Sequence, residues 1–371
     1  MSNSIPEIED ADLLFIFGYN GADSHPIVAR RIVRAKEKGA TLITVDPRVT
    51  ETARISDMHL PIKGGTNMIL VNAFGNVLIN ENLYDEEFIK EHTDNFEEYK
   101  KIVEPYTPEY AAKYTNIPAD MIRKTMREYA KAKDAMILYG MGVCQFSQAV
   151  DVVKGLASLA LLTGNFGRPN VGIGPVRGQN NVQGACDMGA LPDCYPGYQK
   201  VTNPEIRAKF EKAWGVKLPG EVGLKLTEVP HAVLEEHKIK AYYIFGEDPV
   251  QSDPDAAEVR EALDECEFVV VQDIFMNKTG LHADVIFPAT SWGEHDGVYS
   301  SADRGFQRIR KAVEPKGDVK TDWQIICEVS TAMGYPMHYN NTKEIWDEMR
   351  SLTPSFFGAT YEKMEKYGCV Q

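Results

Sequence analysis

Ala11-Asp12-Leu13-Leu14-Phe15-Ile16-Phe17-Gly18-Tyr19-Asn20 is a short apolar run that stops at a glycine. Gly21-Ala22-Asp23-Ser24-His25-Pro26 follows, then helical spacing through Lys38, then a second apolar run, Thr41-Leu42-Ile43-Thr44-Val45-Asp46, behind Gly39. The economical reading is strand, loop, helix, strand, with two parallel strands joined by a crossover helix. In such sheets ligands bind beyond the carboxyl ends of the strands. Asn20, Ser24, Asp46 and Arg48 all fall there and are site candidates by position. The spacing is that of a dinucleotide-binding unit, with Asp46 placed to accept from a ribose hydroxyl or a guanine amino group. No Gly-x-Gly-x-x-Gly occurs at the first turn; Gly18-Tyr19-Asn20-Gly21-Ala22-Asp23-Ser24 stands in its place. That disfavours an ordinary nicotinamide site and favours a bulkier or differently held nucleotide.

Moving outward, His59-Leu60-Pro61-Ile62 reads as a third strand. It leads into Lys63-Gly64-Gly65-Thr66-Asn67, a glycine-bearing turn before a helix that begins near Met68, whose backbone N–H groups can meet phosphate. Gly65 and Asn67 join the candidates. From Asn80 to Lys133 the chain is rich in Glu, Lys and Tyr at helical spacing, which reads as helical cover with a solvated charged face. Ala135-Met136-Ile137-Leu138-Tyr139-Gly140-Met141-Gly142 is another strand ending in glycines, delivering Cys144-Gln145-Phe146 to the same sheet edge and adding Gln145 to the candidates. A helix from Ala149 to Leu162 comes next. Then Pro175-Val176-Arg177-Gly178-Gln179-Asn180-Asn181-Val182-Gln183-Gly184-Ala185-Cys186-Asp187-Met188-Gly189 packs one arginine, four amides and three glycines into a run with almost no helical or strand period. Such a run suits a ligand: glycines permit close backbone approach, amides present donors and acceptors, and Arg177 offers a planar fork for a small anion.

Beyond it, the stretch to about Lys238 reads as irregular with short helices. Lys240-Ala241-Tyr242-Tyr243-Ile244-Phe245-Gly246-Glu247-Asp248-Pro249 then repeats the pattern of apolar strand, glycine and acid, before a helix through Leu263. Phe268-Val269-Val270-Val271-Gln272-Asp273 and Ala283-Asp284-Val285-Ile286-Phe287-Pro288 are two further strands. The chain thus carries two similar α/β units in series.

Composition bounds the rest. With 371 residues, 40 Lys+Arg against 54 Asp+Glu and a formal charge of −14, the chain suits two or three domains and argues against a nucleic-acid partner. No apolar run approaches membrane-spanning length, and the first ten residues lack the basic and apolar segments of an export signal, so a cytoplasmic location is expected. Six cysteines include no Cys-x-x-Cys pair, so no metal ligand set is assigned within the chain. His25 and His295 read as helix-entry and loop histidines rather than bases. Hydrolase, kinase and zincin readings lack their motifs.

Arg177-Gly178-Gln179-Asn180-Asn181-Val182-Gln183-Gly184, with Gly246-Glu247-Asp248-Pro249, Gln272-Asp273-Ile274-Phe275 and Pro288-Ala289-Thr290-Ser291-Trp292-Gly293-Glu294, resembles the molybdopterin oxidoreductases, most of all the catalytic (alpha) subunits of formate dehydrogenases, from end to end. The resemblance implies two doubly wound, dinucleotide-binding-like α/β units with parallel sheets. Residues 1–179 form the first and 180–291 a partial second. Residues 292–371 form a partial α+β domain that in the family packs with an N-terminal iron–sulfur region. It implies a pair of molybdopterin guanine dinucleotides carrying molybdenum or tungsten, one per unit. Asn20, Ser24, Asp46, Arg48, Gly65, Asn67 and Gln145 would hold one. Gln179, Gly246, Asp248, Ser252, Gln272, Asp273 and Asp322 would serve the other or its pterin. Arg177 matches the family's substrate arginine, and with Gln179 it forms the implied catalytic pair acting on formate. Electrons would leave through an iron–sulfur cluster to an electron-transfer subunit or iron–sulfur partner. The family's 4Fe-4S cysteines and its cysteine or selenocysteine metal ligand would lie upstream of Met1, so the chain reads as the central part of the enzyme and is expected to be inactive alone. Two alternatives stay open: a nitrate reductase-like sister enzyme, and a truncated non-catalytic cofactor-binding fragment.

Overall fold

Strand β1 (Leu13–Phe17) is buried along all five residues, because a parallel strand covered on both faces has no solvent side. It pairs in parallel with β2 (Thr41–Val45) on one flank and β4 (Ala135–Tyr139) on the other, while β3 (Met58–Leu60) and β5 (Gly172–Pro175) complete a five-stranded sheet of order β3-β2-β1-β4-β5. Alternate residues of these strands enter different cores, as the two-residue period requires. Leu14, Ile16, Leu42, Met136 and Leu138 pack with Val28, Ile32 and Ala35 from helix Pro26–Glu37. Phe15, Phe17, Ile43, Ile137 and Tyr139 pack with helices Asn67–Asn80, Ala119–Lys131 and Ala149–Leu162. Residues 80–133 are helical cover as expected, in four helices. The third strand stops at Leu60 instead of running to Ile62, since Pro61 has no N–H to continue a ladder.

The computed structural model describes residues 1–371, which divide into two compact units: Met1–Val182 with Ala302–Arg304, and Gln183–Ser301 with Gly305–Gln371. In the second unit, β8 (Ala241–Phe245), β9 (Phe268–Asp273) and β10 (Val285–Pro288) follow the short pair β6 (Cys194–Tyr195) and β7 (Gln199–Lys200). They form a parallel sheet of order β10-β9-β8. Ile244, Val269 and Val271 pack on Val259 and Leu263 of helix Ala256–Glu265, and the alternating Tyr243, Phe245 and Phe268 are exposed. An antiparallel hairpin, β11 (Gly297–Ser300) with β12 (Phe306–Ile309), joins Trp346, Phe356 and Met364 in a separate aromatic core.

Two stretches read as irregular are more ordered than their composition suggests. Helix Pro204–Trp214 runs eleven residues between an Asn203 cap, which accepts from the N–H groups of Glu205 and Ile206, and a left-handed Gly215. Within the amide-rich run, Val182–Asp187 is a short helix braced by Gln183 Nε2 donating to Asp187 at 2.8 Å. No helix is long and apolar enough to cross a membrane.

Candidate active site

The strand order of the first unit reverses between β1 and β4, so the turns that follow these two strands stand side by side at the switch point. Both turns contain glycine for a steric reason. A Cβ on Gly18, which has φ +56°, would sit 2.7 Å from the Gly142 carbonyl carbon, and one on Gly142 would sit 2.8 Å from Gly18 Cα. The Gly142 N–H donates to the Gly18 carbonyl at 3.0 Å, locking the two turns backbone to backbone. The close approach that a single Gly-rich loop supplies elsewhere is shared here between segments 124 residues apart in sequence.

Around this contact opens a cleft of about 400 Å³, within the usual range for small-molecule sites. Asn20, Ser24, Asp46, Arg48 and Asn67 all line it. Asp46 is buried, and its Oδ1 accepts the Arg48 N–H at 2.8 Å, an Asx turn that aims the carboxylate across the end of β2. His59 Nε2 meets the Asp46 carbonyl at 2.9 Å and holds the same turn from β3. Arg48 itself is exposed at the rim. Asn67 is buried and donates to the Gly142 carbonyl at 3.3 Å, so it braces the β4 turn. Asn20 donates to Asp23 at 2.5 Å and accepts from Thr52 at 3.3 Å, which fixes the first turn. Three candidates fall just off the wall: Gly64 lines the cleft rather than Gly65, Phe146 rather than Gln145, and Gly178 rather than Gln179. Gly65, Gln145 and Gln179 are exposed.

Tyr19 and His25 were not among the positional candidates, yet both line the cleft. Their rings lie 5.5 Å apart, and the Tyr19 hydroxyl and His25 Nδ1 are buried with no hydrogen-bond partner in the protein. A buried polar atom left unpaired costs about 1–3 kcal/mol, so this wall is suited to a polar ligand. Arg177 lies two residues beyond the end of β5 and is half-buried. Its carbonyl lies 2.5 Å from His25 Nε2. Its positive charge reaches Tyr139 and Cys144. Burial pushes the Tyr139 hydroxyl up to about 12 and raises the Cys144 thiol, and the guanidinium opposes both shifts.

In the second unit Gly246, Asp248, Ser252, Gln272, Asp273 and Asp322 gather at the carboxyl ends of β8 and β9. Gly246, at φ +63°, donates to the Gln272 carbonyl at 2.9 Å. Gln272 is 1% exposed; its amide oxygen accepts from the Tyr243 hydroxyl and its Nε2 donates to Asp322 at 2.8 Å. Asp248 Oδ1 accepts from the Thr279 N–H at 3.0 Å and hydroxyl at 2.6 Å. Burial works against its ionisation, but these donors and the Lys278 N–H outweigh it and hold the carboxyl below its ordinary range. Asp273 accepts from the Phe275 N–H at 2.9 Å and from Asn277 at 3.1 Å. Ser252 is exposed and donates to the Asp248 carbonyl at 3.1 Å. These acids are largely engaged in holding their own turns. Asn277 and Thr279, which organise them, carried no signal in the sequence beyond a loop after a strand. No three His, Cys, Asp or Glu side chains come together to hold a metal ion.

Comparison with known proteins agrees with this architecture. The family model described as molybdopterin oxidoreductase matches residues 1–332. Formate dehydrogenase H of Escherichia coli (strain K12) is 60% identical over 372 aligned residues, covering 100% of this chain and 52% of the relative. The F420-dependent formate dehydrogenase subunit alpha of Methanocaldococcus jannaschii is 47% identical, with 98% of this chain and 54% of the relative covered. The chain therefore spans about half the length of the curated relatives it matches. Among solved structures, acetylene hydratase from Pelobacter acetylenicus superposes with a TM-score of 0.78 at 22% identity, over 99% of this chain and 55% of that one, a likeness of fold.

Proposed function

Because this chain belongs to the molybdopterin oxidoreductase family, we propose that it forms the cofactor-holding centre of a formate dehydrogenase, with Arg177 orienting formate for oxidation to carbon dioxide. Membership implies a molybdopterin cofactor carrying molybdenum or tungsten. The finer reading is two guanine dinucleotides, one per unit. The first cleft fits such a group: backbone turns packed too closely for a Cβ, a buried carboxylate at the end of β2, and two unpartnered polar atoms on its wall. Asp46 would accept from the guanine or ribose, Arg48 would meet phosphate or stack, and Asn20, Ser24 and Asn67 would complete the cradle. Gly65, Gln145 and Gln179 would act from the exposed rim. In the second unit Gly246, Asp248, Ser252, Gln272, Asp273 and Asp322 would do the equivalent work.

When bound, the metal and its sulfur ligands would supply the redox chemistry by which formate loses two electrons and a proton to become carbon dioxide. What the chain itself contributes is aim and charge. A guanidinium can pin both formate oxygens in a planar, bidentate grip, leaving the C–H bond free to point at the reacting centre. The same positive charge concentrates a small anion in a chain that is otherwise strongly acidic. The departing product is neutral and cannot make the charge-assisted pair, so the grip weakens as reaction completes. Electrons would pass onward through an iron–sulfur cluster to an electron-transfer subunit, and the whole would work in the cytoplasm.

The single observation that carries this reading is Arg177 set between Val176 and Gly178, both of which line the switch-point cleft, with its main chain held against His25. Arg177→Lys in the holoenzyme keeps the charge but loses the fork. Formate-dependent dye reduction is expected to fall about 100-fold in kcat/KM at unchanged metal and pterin content. Near-wild-type kinetics would overturn the assignment.

A further inference from the structure

We propose that His25 is a positioning residue that fixes the main chain of Arg177 from the wall of the first cleft and so sets where the guanidinium points; the proposal rests on reading Arg177 as the formate-orienting group. His25 stands between the turn Gly21–Ser24 and helix Pro26–Glu37, with Pro26 defining the helix entry. Its side chain makes no capping hydrogen bond to that helix, so it has no local task there. Instead Nε2 lies 2.5 Å from the carbonyl oxygen of Arg177, 152 residues away.

The direction of this hydrogen bond follows from the partner. A carbonyl only accepts, so Nε2 carries a proton and donates it to Arg177. The other nitrogen, Nδ1, is buried without a partner, in a ring that lies 5.5 Å from the Tyr19 ring and belongs to the lining of the cleft. The position along the loop matters equally. Pro175 is the last residue of β5 in register with β4, and Val176 donates to the Tyr139 carbonyl at 2.9 Å. Arg177 is the next residue, and Gly178, Gln179 and Asn180 beyond it are exposed. His25 grips the chain at the point where the sheet's own hydrogen bonds end. A hold on the backbone at that joint fixes the origin of the Arg177 side chain, and a shift of about 1 Å in an orienting group can cost on the order of 100-fold in rate.

The test uses the holoenzyme with His25→Leu, His25→Asn and His25→Gln. Leu and Asn remove a donor at the Nε2 position, whereas the Gln amide nitrogen lies the same number of bonds from Cα and restores one. Amide hydrogen exchange in the peptide 176–182 is expected to speed up about tenfold in the Leu and Asn variants. In parallel, kcat/KM for formate should fall about 10- to 100-fold, with a raised KM carrying part of the loss, at wild-type metal and pterin content. His25→Gln should bring both readouts back to within about threefold. Should Leu not fold, Asn, which keeps a polar group at Cγ, carries the same comparison. Exchange and kinetics both within about twofold of wild type would overturn the proposal, as would faster exchange with unaltered formate kinetics in an enzyme whose Arg177→Lys variant is impaired. If instead Arg177→Lys is itself unimpaired while the His25 variants still speed exchange, the role of Arg177 falls and the anchoring of the loop stands.

Discussion

Gly142 illustrates how much of the candidate site rests on single residues. Its Cα faces Gly18 so closely that Gly142→Ala must push the ends of β1 and β4 apart. The expected cost is about 1–3 kcal/mol of stability, read as a lowered denaturation midpoint, together with loss of bound pterin nucleotide from the purified enzyme. The glycine ending each strand was visible in the sequence; that the two touch was not, since nothing local relates position 18 to position 142. The same holds at His25, whose partner lies 152 residues away and whose surroundings read as an ordinary helix entry. Asp46 and Arg48 were readable because their role is positional: they follow an apolar strand directly, and the carboxyl ends of parallel strands are where ligands sit.

At the scale of elements, strands were recognised more reliably than the loops between them. A buried parallel strand is an unbroken apolar run and needs no partner to be seen, as in Leu13–Phe17 and Phe268–Asp273. The loop after β9 shows the opposite case. Thr279 is fully buried and gives both its N–H and its hydroxyl to Asp248, tying the turn after β8 to the turn after β9. Thr279→Val keeps the shape and removes the hydroxyl, leaving the carboxylate short of a donor. We expect a loss of about 1–3 kcal/mol in chemical denaturation and a rise in the Asp248 pKa toward its ordinary value, followed by carboxyl NMR. Helix Pro204–Trp214 was obscured for a different reason: its buried anchor is the single residue Phe210, stacked on Tyr195 and tilted against Trp214, so it shows little apolar period.

For the molecule as a whole, residues 2–7 are tied into the first unit by long-range hydrogen bonds. The Ser2 N–H donates to the Ile173 carbonyl at 2.9 Å, and the Ile5 N–H to Asp303 at 3.0 Å. Glu7 accepts from Asn3, from the Asn170 N–H and from Ser4. Burial opposes its ionisation, yet these donors outweigh it and lower the carboxyl to about 2. A carboxyl whose folded pKa is depressed contributes stability that is complete above its unfolded value near 4.5 and is lost as pH falls toward about 2. Glu7→Gln should therefore be less stable than wild type at neutral pH, with the difference closing over that acid window in melts followed by circular dichroism. What the sequence by itself determined was local: where apolar runs make strands, where glycine and proline end them, and which face of each helix turns inward, since these depend on neighbours within a few residues. Tertiary structure alone decided the order β3-β2-β1-β4-β5, the contact of Gly18 with Gly142, the grip of His25 on Arg177 and the inclusion of Ala302–Arg304 in the first unit. Those depend on which distant segments pack together, and packing is settled by the shape and handedness of the whole sheet rather than by any stretch of chain within it.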